Sequence, residues 1–226
     1  MTRLSIVMPV LNEAAGIVAA LEALAPLRTR GVEVIVVDGG SCDGSPELAR
    51  PLADHVLASP RGRAIQMNAG AAIATGNLLL FLHADTRLPD DADVLVTHAL
   101  NGARVWGRFD VRFSGGALPL VAASMNLRSR ASGIATGDQA MFVTQEAFRR
   151  AGGFPEIALM EDVAFSACLK HLSRPVCLRA RVTTSPRRWR THGTLRTVLM
   201  MWRLRLAFFL GVDPKWLARA YGYGVN

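Results

Sequence analysis

Hydrophobic positions follow two periods over the first 85 residues. "LSIVMPV" (4–10) and "VEVIVVD" (32–38) are short apolar runs. The second is rich in β-branched residues, as expected of a strand buried on both faces. "HVLAS" (55–59) and "NLLLFLHAD" (77–85) read as two further strands. Between them the period changes. Ile17, Val18, Leu21 and Leu24 recur at helical spacing behind Asn12, a candidate N-cap. Ser45-Pro46 opens a second helix, with Ser as cap and Pro at the first helical position. "AIQMNAGAAIA" (64–74) is the third. This alternation predicts an α/β fold, a parallel sheet flanked by helices. Right-handed crossovers would gather the strand ends on one edge, where ligands bind.

After Asp85 the pattern loosens. "LPDDADVLVTHAL" (88–100) reads as a helix and "RVWGRFDVRF" (104–113) as a half-exposed strand. A loop-rich region containing "GIATGDQAMFV" (133–143) precedes a helix from about Met160 to Leu172. A strand, "RPVCLRARVTT" (174–184), and one long final helix complete the chain. No repeat, low-complexity segment or linker marks a boundary. The expectation is a domain over 1–184 with a basic amphipathic C-terminal extension, 185–226, packed on the domain or at a membrane surface.

Half of the 226 residues are hydrophobic, enough for a sizeable core and against disorder. Cys42, Cys168 and Cys177 form no CxxC pair, which argues against a zinc ribbon or a disulfide framework and for a reducing compartment. "MTRLSIVMPVLNE" reaches Pro and Glu too soon for a signal peptide, so a cytoplasmic location is expected, peripheral to the inner face of the membrane. The formal net charge is +8, and from Arg174 onward eleven Lys or Arg face a single acid, Asp213. Such a tail suits anionic lipid or a phosphorylated substrate. Nucleic acid is set aside, because no zinc-finger or RNA-recognition signature accompanies the charge.

Chemistry concentrates at the strand ends. Asp38, in "VDGGSCDGS" (37–45), is placed to accept hydrogen bonds from a base or ribose, or to serve as a turn carboxylate. Gly39, Gly40 and Gly44 let the backbone turn and approach a ligand. No GxGxxG follows the first strand, and "GGSCDGSP" lacks the P-loop lysine, so both of those nucleotide loops are excluded. In a strand ending "HADT", His83 and Asp85 would face one point. Asp85 suits Mg²⁺ or Mn²⁺, and His83 only the latter, with substrate phosphates supplying the missing oxygens. Alternatively His83 is a core histidine and Asp85 a helix cap. Glu161 and Asp162 open a helix, where the macrodipole favours carboxylates, and one of them is a candidate general base.

"SPRRWRTHG" (185–193) sets Arg187, Arg188 and Arg190 around Trp189, either to meet phosphate or as a basic surface loop with one packed Trp. In "LRTVLMMWRLRLAFFLGV" (195–212), Leu195, Val198, Leu199, Trp202, Leu206 and Phe209 share one helical face. The stretch is too short and too charged for a span of about 20 apolar residues. A membrane surface, a partner groove or the core remain open for it.

"PVLNE", "VDGGSCDGS", "RGRAIQMNAG", "LLLFLHADT", "GDQAMFV" and "GGFPEIALMEDVAF" occur in the order seen in family 2 glycosyltransferases of the GT-A fold, a Rossmann-like, mostly parallel sheet. The "HADT" and "MEDV" forms resemble the short bacterial branch described as selenodomain-associated transferases. The resemblance implies an inverting transfer from a nucleotide-diphospho-sugar to an acceptor hydroxyl, assisted by Mn²⁺ or Mg²⁺. It implies that Pro9, Leu11 and Glu13 line the nucleotide pocket, that Asp38 and Gly39 meet the base, and that Arg61 and Arg63 approach the diphosphate. His83-Ala84-Asp85 would stand for the DxD motif, with Asp85 as metal ligand and His83 in place of the first Asp. Metal affinity without nucleotide should therefore be weak. Asp162, beside Glu161, would be the catalytic base. Gly137, Asp138 and Gln139 would lie on the acceptor side, with Arg188 and Trp189 at the diphosphate. A lipid-linked acceptor would suit the basic helix. Two rivals stand beside this reading. A nucleotidyltransferase usually carries a Gly-rich loop with Arg and Lys where this chain has "PVLNEAAG", and a non-catalytic sugar-nucleotide or lipid-surface binding protein is supported by His83 alone.

Overall fold

A computed structural model describes residues 3–116 and 118–222. Eight strands form one sheet: β1 (Leu4–Val10), β2 (Glu33–Asp38), β3 (His55–Ala58), β4 (Leu78–Phe81), β5 (Thr86–Arg87), β6 (Trp106–Phe113), β7 (Phe142–Thr144) and β8 (Val176–Thr184). Their order is β3-β2-β1-β4-β7-β6-β8-β5. The first four in that order are parallel, so β1, β2 and β4 all finish on one edge. β7 runs antiparallel to β4 and β6, β8 is parallel to β6, and β5 closes antiparallel on β8. This is the mixed but mostly parallel α/β sheet expected.

The helices are α1 (Ala14–Glu22), α2 (Ala25–Thr29), α3 (Ser45–Ala49), α4 (Arg63–Ile73), α5 (Ala92–Ala99), α6 (Pro119–Ser132), α7 (Gln145–Arg150), α8 (Glu161–Leu172), α9 (Arg187–His192), α10 (Thr194–Phe209) and α11 (Pro214–Tyr221). Period-2 alternation divides the sheet between two cores. Ile6, Met8, Val34, Val36 and Leu80 pack with Ile17 and Leu21 of α1 and Val96 of α5. Val7, Ile35, Val37, Leu79 and Phe81 pack on the other face with Met67 and Ala71 of α4 and Phe165 and Leu169 of α8. Both faces of the parallel strands are therefore covered, which is why they read as continuous apolar runs.

Several expectations are corrected. Asn12 does not cap α1. It adopts a left-handed φ of 54° and its side chain accepts from Cys42 N instead. Ser45 is the first residue of α3 behind Gly44, whose φ of 85° needs a glycine. The Ser45 hydroxyl accepts from Glu13 N and donates to Asp43, tying the loops after β1 and β2 together. β4 stops at Phe81, and Thr86 N donates to His83 O across a tight turn. His83 and Asp85 therefore stand on a turn, where the i, i+2 rule of a strand does not apply. β6 is buried along nearly its whole length rather than half exposed. Arg108, fully buried, pairs with Asp110, which also holds Arg130 at 2.6 Å, so the charges of the strand are paired beneath α6, although Arg108 Nε has no hydrogen-bond partner. The long final helix is three helices, broken at Gly193 (φ 79°) and Gly211 (φ 83°). Leu204 of α10 and Leu217 of α11 pack on Ile134, Leu159 and Val163 in a third small core. Among the described residues no helix is long and apolar enough to cross a membrane.

Candidate active site

The loops that leave β1 and β4 open into a cavity of about 570 Å³, within the range of small-molecule sites. Pro9, Leu11 and Glu13 line it from the end of β1, Arg61 and Arg63 from the start of α4, and His83, Ala84 and Asp85 from the turn after β4. Gly137 and Asp138, Glu161 and Asp162, and Trp189 complete the expected residues that meet there. Segments far apart in the chain converge because parallel strands deliver their C-terminal ends to the same edge.

Three expected residues lie elsewhere. Asp38 is buried and accepts from the N–H groups of Gly40 and Ser41, the turn-carboxylate arrangement. Gly39 does approach a group closely, but that group is Gln66: a Cβ would sit 2.9 Å from its amide. Gln66 donates to the carbonyls of Val10 and Val37 and so holds the ends of β1 and β2. Gln139 is buried in a capping box with Thr136. The Arg188 side chain lies outside the described residues.

The acidic centre is built on backbone. Asp162 Oδ2 accepts from Gly137 N at 2.8 Å, and Oδ1 accepts from Val163 N at 2.7 Å. Met160, just before α8, has φ of 71°, a strained conformation for a non-glycine residue that aims the Glu161–Asp162 pair. Glu161 is buried, and burial together with the neighbouring Asp162 charge pushes its carboxyl up to about 6. Arg63 Nη1, 3.9 Å away, opposes that rise. His83 Nδ1 lies 3.6 Å from Asp138 Oδ1. Burial raises the Asp138 carboxyl, but the His83 hydrogen bond and the charges of His83, Arg63 and Arg205 outweigh it, leaving a net depression.

His83 thus faces Asp138. Among the described residues no three His, Cys, Asp or Glu side chains come together to hold a metal ion. Asp85, exposed to the cavity, offers one carboxylate. That donor fits a hard cation held jointly with substrate phosphates, and does not fit a site closed by protein alone.

The C-terminal segment contributes expected residues, Arg187 and Trp189, and others that the sequence did not single out for this site. Arg187 Nη2 reaches Glu13 Oε1 at 3.4 Å, joining the start of α9 to the loop after β1. Trp189 stacks edge-on against Phe113 at 5.7 Å between ring centroids. Met201, Arg205 and Tyr221 add further wall. The one available signal was an arginine interrupting the apolar run of α10.

The family described as Glycosyl transferase family 2 matches residues 5–145. A curated relative, the PGL/p-HBAD biosynthesis glycosyltransferase of Mycobacterium bovis (strain BCG / Pasteur 1173P2), is 37% identical over 98 residues. That match covers 40% of this chain and only 38% of the relative's own length. Among solved structures, the mannosyltransferase PcManGT from Pyrobaculum calidifontis, in complex with GDP-Man and Mn²⁺, superposes with a TM-score of 0.66 at 22% identity. It covers 91% of this chain and 61% of its own. S. aureus TarS in complex with UDP-GlcNAc gives 0.65 at 19% identity, covering 82% of this chain and 58% of its own. At these identities the two structures establish a shared fold.

Proposed function

The chain belongs to glycosyl transferase family 2, and we propose that it transfers a sugar from a nucleotide-diphospho-sugar to an acceptor hydroxyl, with inversion and with Asp162 as general base. The observation that carries this reading is the convergence of Asp162, Glu161, Asp138 and Asp85 with Arg61, Arg63 and Arg187 around one cavity at the strand ends.

The nucleotide lies against Pro9, Leu11 and Glu13. The diphosphate meets Arg61, Arg63 and Arg187, with Trp189 beside it. The acceptor oxygen attacks the anomeric carbon while the bond from that carbon to the phosphate oxygen breaks on the opposite face. The electron pair leaves with the nucleoside diphosphate, where the guanidinium groups neutralise it. The acceptor proton passes to Asp162. Both oxygens of that carboxylate already hold a backbone N–H, which fixes its direction, and each keeps a lone pair for the incoming proton. Asp85 would hold Mn²⁺ or Mg²⁺ together with the donor phosphates, and the cation when bound adds positive charge beside the leaving group.

The outer face of α10 supports attachment to a lipid surface in the cytoplasm. Leu195, Leu199, Trp202, Leu206 and Phe209 form an exposed stripe, joined by Leu210 and by Trp216 of α11. Arg196 and Arg203 lie on the same helix, as interfacial binding to anionic lipid requires. A lipid-linked acceptor would suit that placement.

The test is donor hydrolysis across a panel of nucleotide-sugars, with and without Mn²⁺. Turnover of one donor supports the transferase, and dependence on metal supports Asp85. Absence of both turnover and nucleotide binding would sink the reading.

A further inference from the structure

Two kinds of wall meet in the cavity. Glu13, Arg61 and Arg187 give it a charged side, where Arg187 reaches Glu13 at 3.4 Å. The side that carries Asp162 is different. Met160 and Val163 stand on either side of the Glu161–Asp162 pair and both line the cavity. They belong to the small core beneath α10 and α11, and Tyr221 of α11 packs on that core and lines the cavity too. The candidate base is therefore set in apolar surroundings.

Two apolar side chains of the cavity have no packing role. Ile157, in the loop before α8, and Met201 of α10 are half-buried and line the cavity. Among the described residues neither packs against any of the three cores. Apolar surface held open to a cavity gains free energy only when something apolar covers it. Arg205, one turn from Met201 on the same face of α10, is the charged member of this wall.

The polar groups beside the base are already committed. Both oxygens of Asp162 accept a backbone N–H, Asp138 is turned to His83 at 3.6 Å, and Gln139 is buried in its capping box. A sugar acceptor would bury several hydroxyls against this wall with few partners, at a cost for each. A single hydroxyl on an apolar chain needs one partner, and Asp162 supplies it. The entry route fits as well. Trp202 and Leu206 follow Met201 and Arg205 by one residue, about 100° round the helix, and both are exposed. The cavity wall and the exposed stripe are adjoining faces of α10.

We propose that the acceptor is a hydroxylated amphiphile whose apolar chain lies against Ile157, Met160 and Met201 with its hydroxyl at Asp162. This rests on the transferase reading given above, and narrows its acceptor to an alcohol whose hydroxyl is borne directly by the apolar chain. The alcohol oxygen bonds to the anomeric carbon as the bond from that carbon to the phosphate oxygen breaks. The electron pair leaves with the nucleoside diphosphate, the alcohol proton passes to Asp162, and the product is an alkyl glycoside.

The test follows nucleoside diphosphate release from the donor that the hydrolysis panel identifies. The acceptors are straight-chain primary alcohols from 1-butanol to 1-octanol, beside methyl glucoside, methyl mannoside and glycerol. The alcohols should raise release above the rate to water, with kcat/KM climbing about threefold to fourfold per added CH₂ and the alkyl glycoside found by mass spectrometry. Met201→Gln and Ile157→Thr keep the size of each side chain and should each cut that slope to about twofold or less per CH₂. If Met201→Gln does not fold, Ile157→Thr reads the same slope. No stimulation by any alcohol, a flat slope in the wild type, an unchanged slope in the variants, or preference for a glycoside or glycerol over 1-octanol would overturn the proposal. If no nucleotide-sugar is bound or turned over, the transferase reading fails. Binding of 1-octanol, followed by saturation-transfer NMR, then tests the apolar wall alone: a weaker signal in the variants supports it, and equal signals overturn it.

Discussion

The bare α-carbon of Gly137 rests against the imidazole of His83, so closely that a Cβ there would sit 2.4 Å from Cε1. The Gly137 N–H donates to Asp162, and the next residue, Asp138, faces the same imidazole. One glycine thereby sets the spacing between the turn after β4 and the start of α8.

Gly137→Ala should therefore cost about 1–3 kcal/mol of stability by overpacking, and lower turnover by moving Asp162. His83→Ala in the same chain removes the ring and should recover most of the stability. A double-mutant cycle by urea unfolding reads the coupling. Additive costs would show that the two residues do not constrain each other.

Asp162→Asn keeps an oxygen to accept from Gly137 N but loses the base. Donor turnover should fall by about 10²–10⁴-fold, with nucleotide affinity retained. Equal losses in both quantities would assign Asp162 to binding.

Glu161 holds its proton more tightly in the folded chain than the ordinary carboxyl value of 4.5, with a folded value of about 6. Its contribution to stability is fully present below 4.5 and is lost as pH rises through 6. Glu161→Gln should therefore gain about 1–2 kcal/mol relative to the wild type between pH 4.5 and 7.5, measured by denaturant unfolding at both pH values. A difference independent of pH would separate this proton from folding.

Leu199 and Trp202 are exposed, at 52% and 68%. Replacing both by Ser should change stability by no more than about 0.5 kcal/mol each, yet sharply reduce co-sedimentation with anionic vesicles. Undiminished sedimentation would remove α10 as the lipid-binding face.

The strands of the first 85 residues were legible because their burial on both faces demands apolar side chains at every position, a local signal. β6 was misread for the converse reason. Arg108 and Asp110 look exposed in a linear pattern, and only their mutual pairing beneath α6 lets them be buried. The break of the last helix was written in Gly193 and Gly211, but the apolar period continues across them and masks it. Most of the residues expected from motifs do line the cavity. Arg205 and Gln66 were not expected, since each lies in a helix where its neighbours satisfy a packing pattern.

By itself the sequence determined the alternation of strands and helices over the first 85 residues, and with it the sheet edge at which acidic and glycine-rich loops would gather. Those depend on residue periods and on the handedness of crossovers. The tertiary structure alone decided that His83 turns to Asp138, that Asp162 is oriented by Gly137, and that the C-terminal helices wall the cavity. Side-chain directions in turns, and contacts between segments remote in the chain, obey no local period; they are set only when both partners are packed.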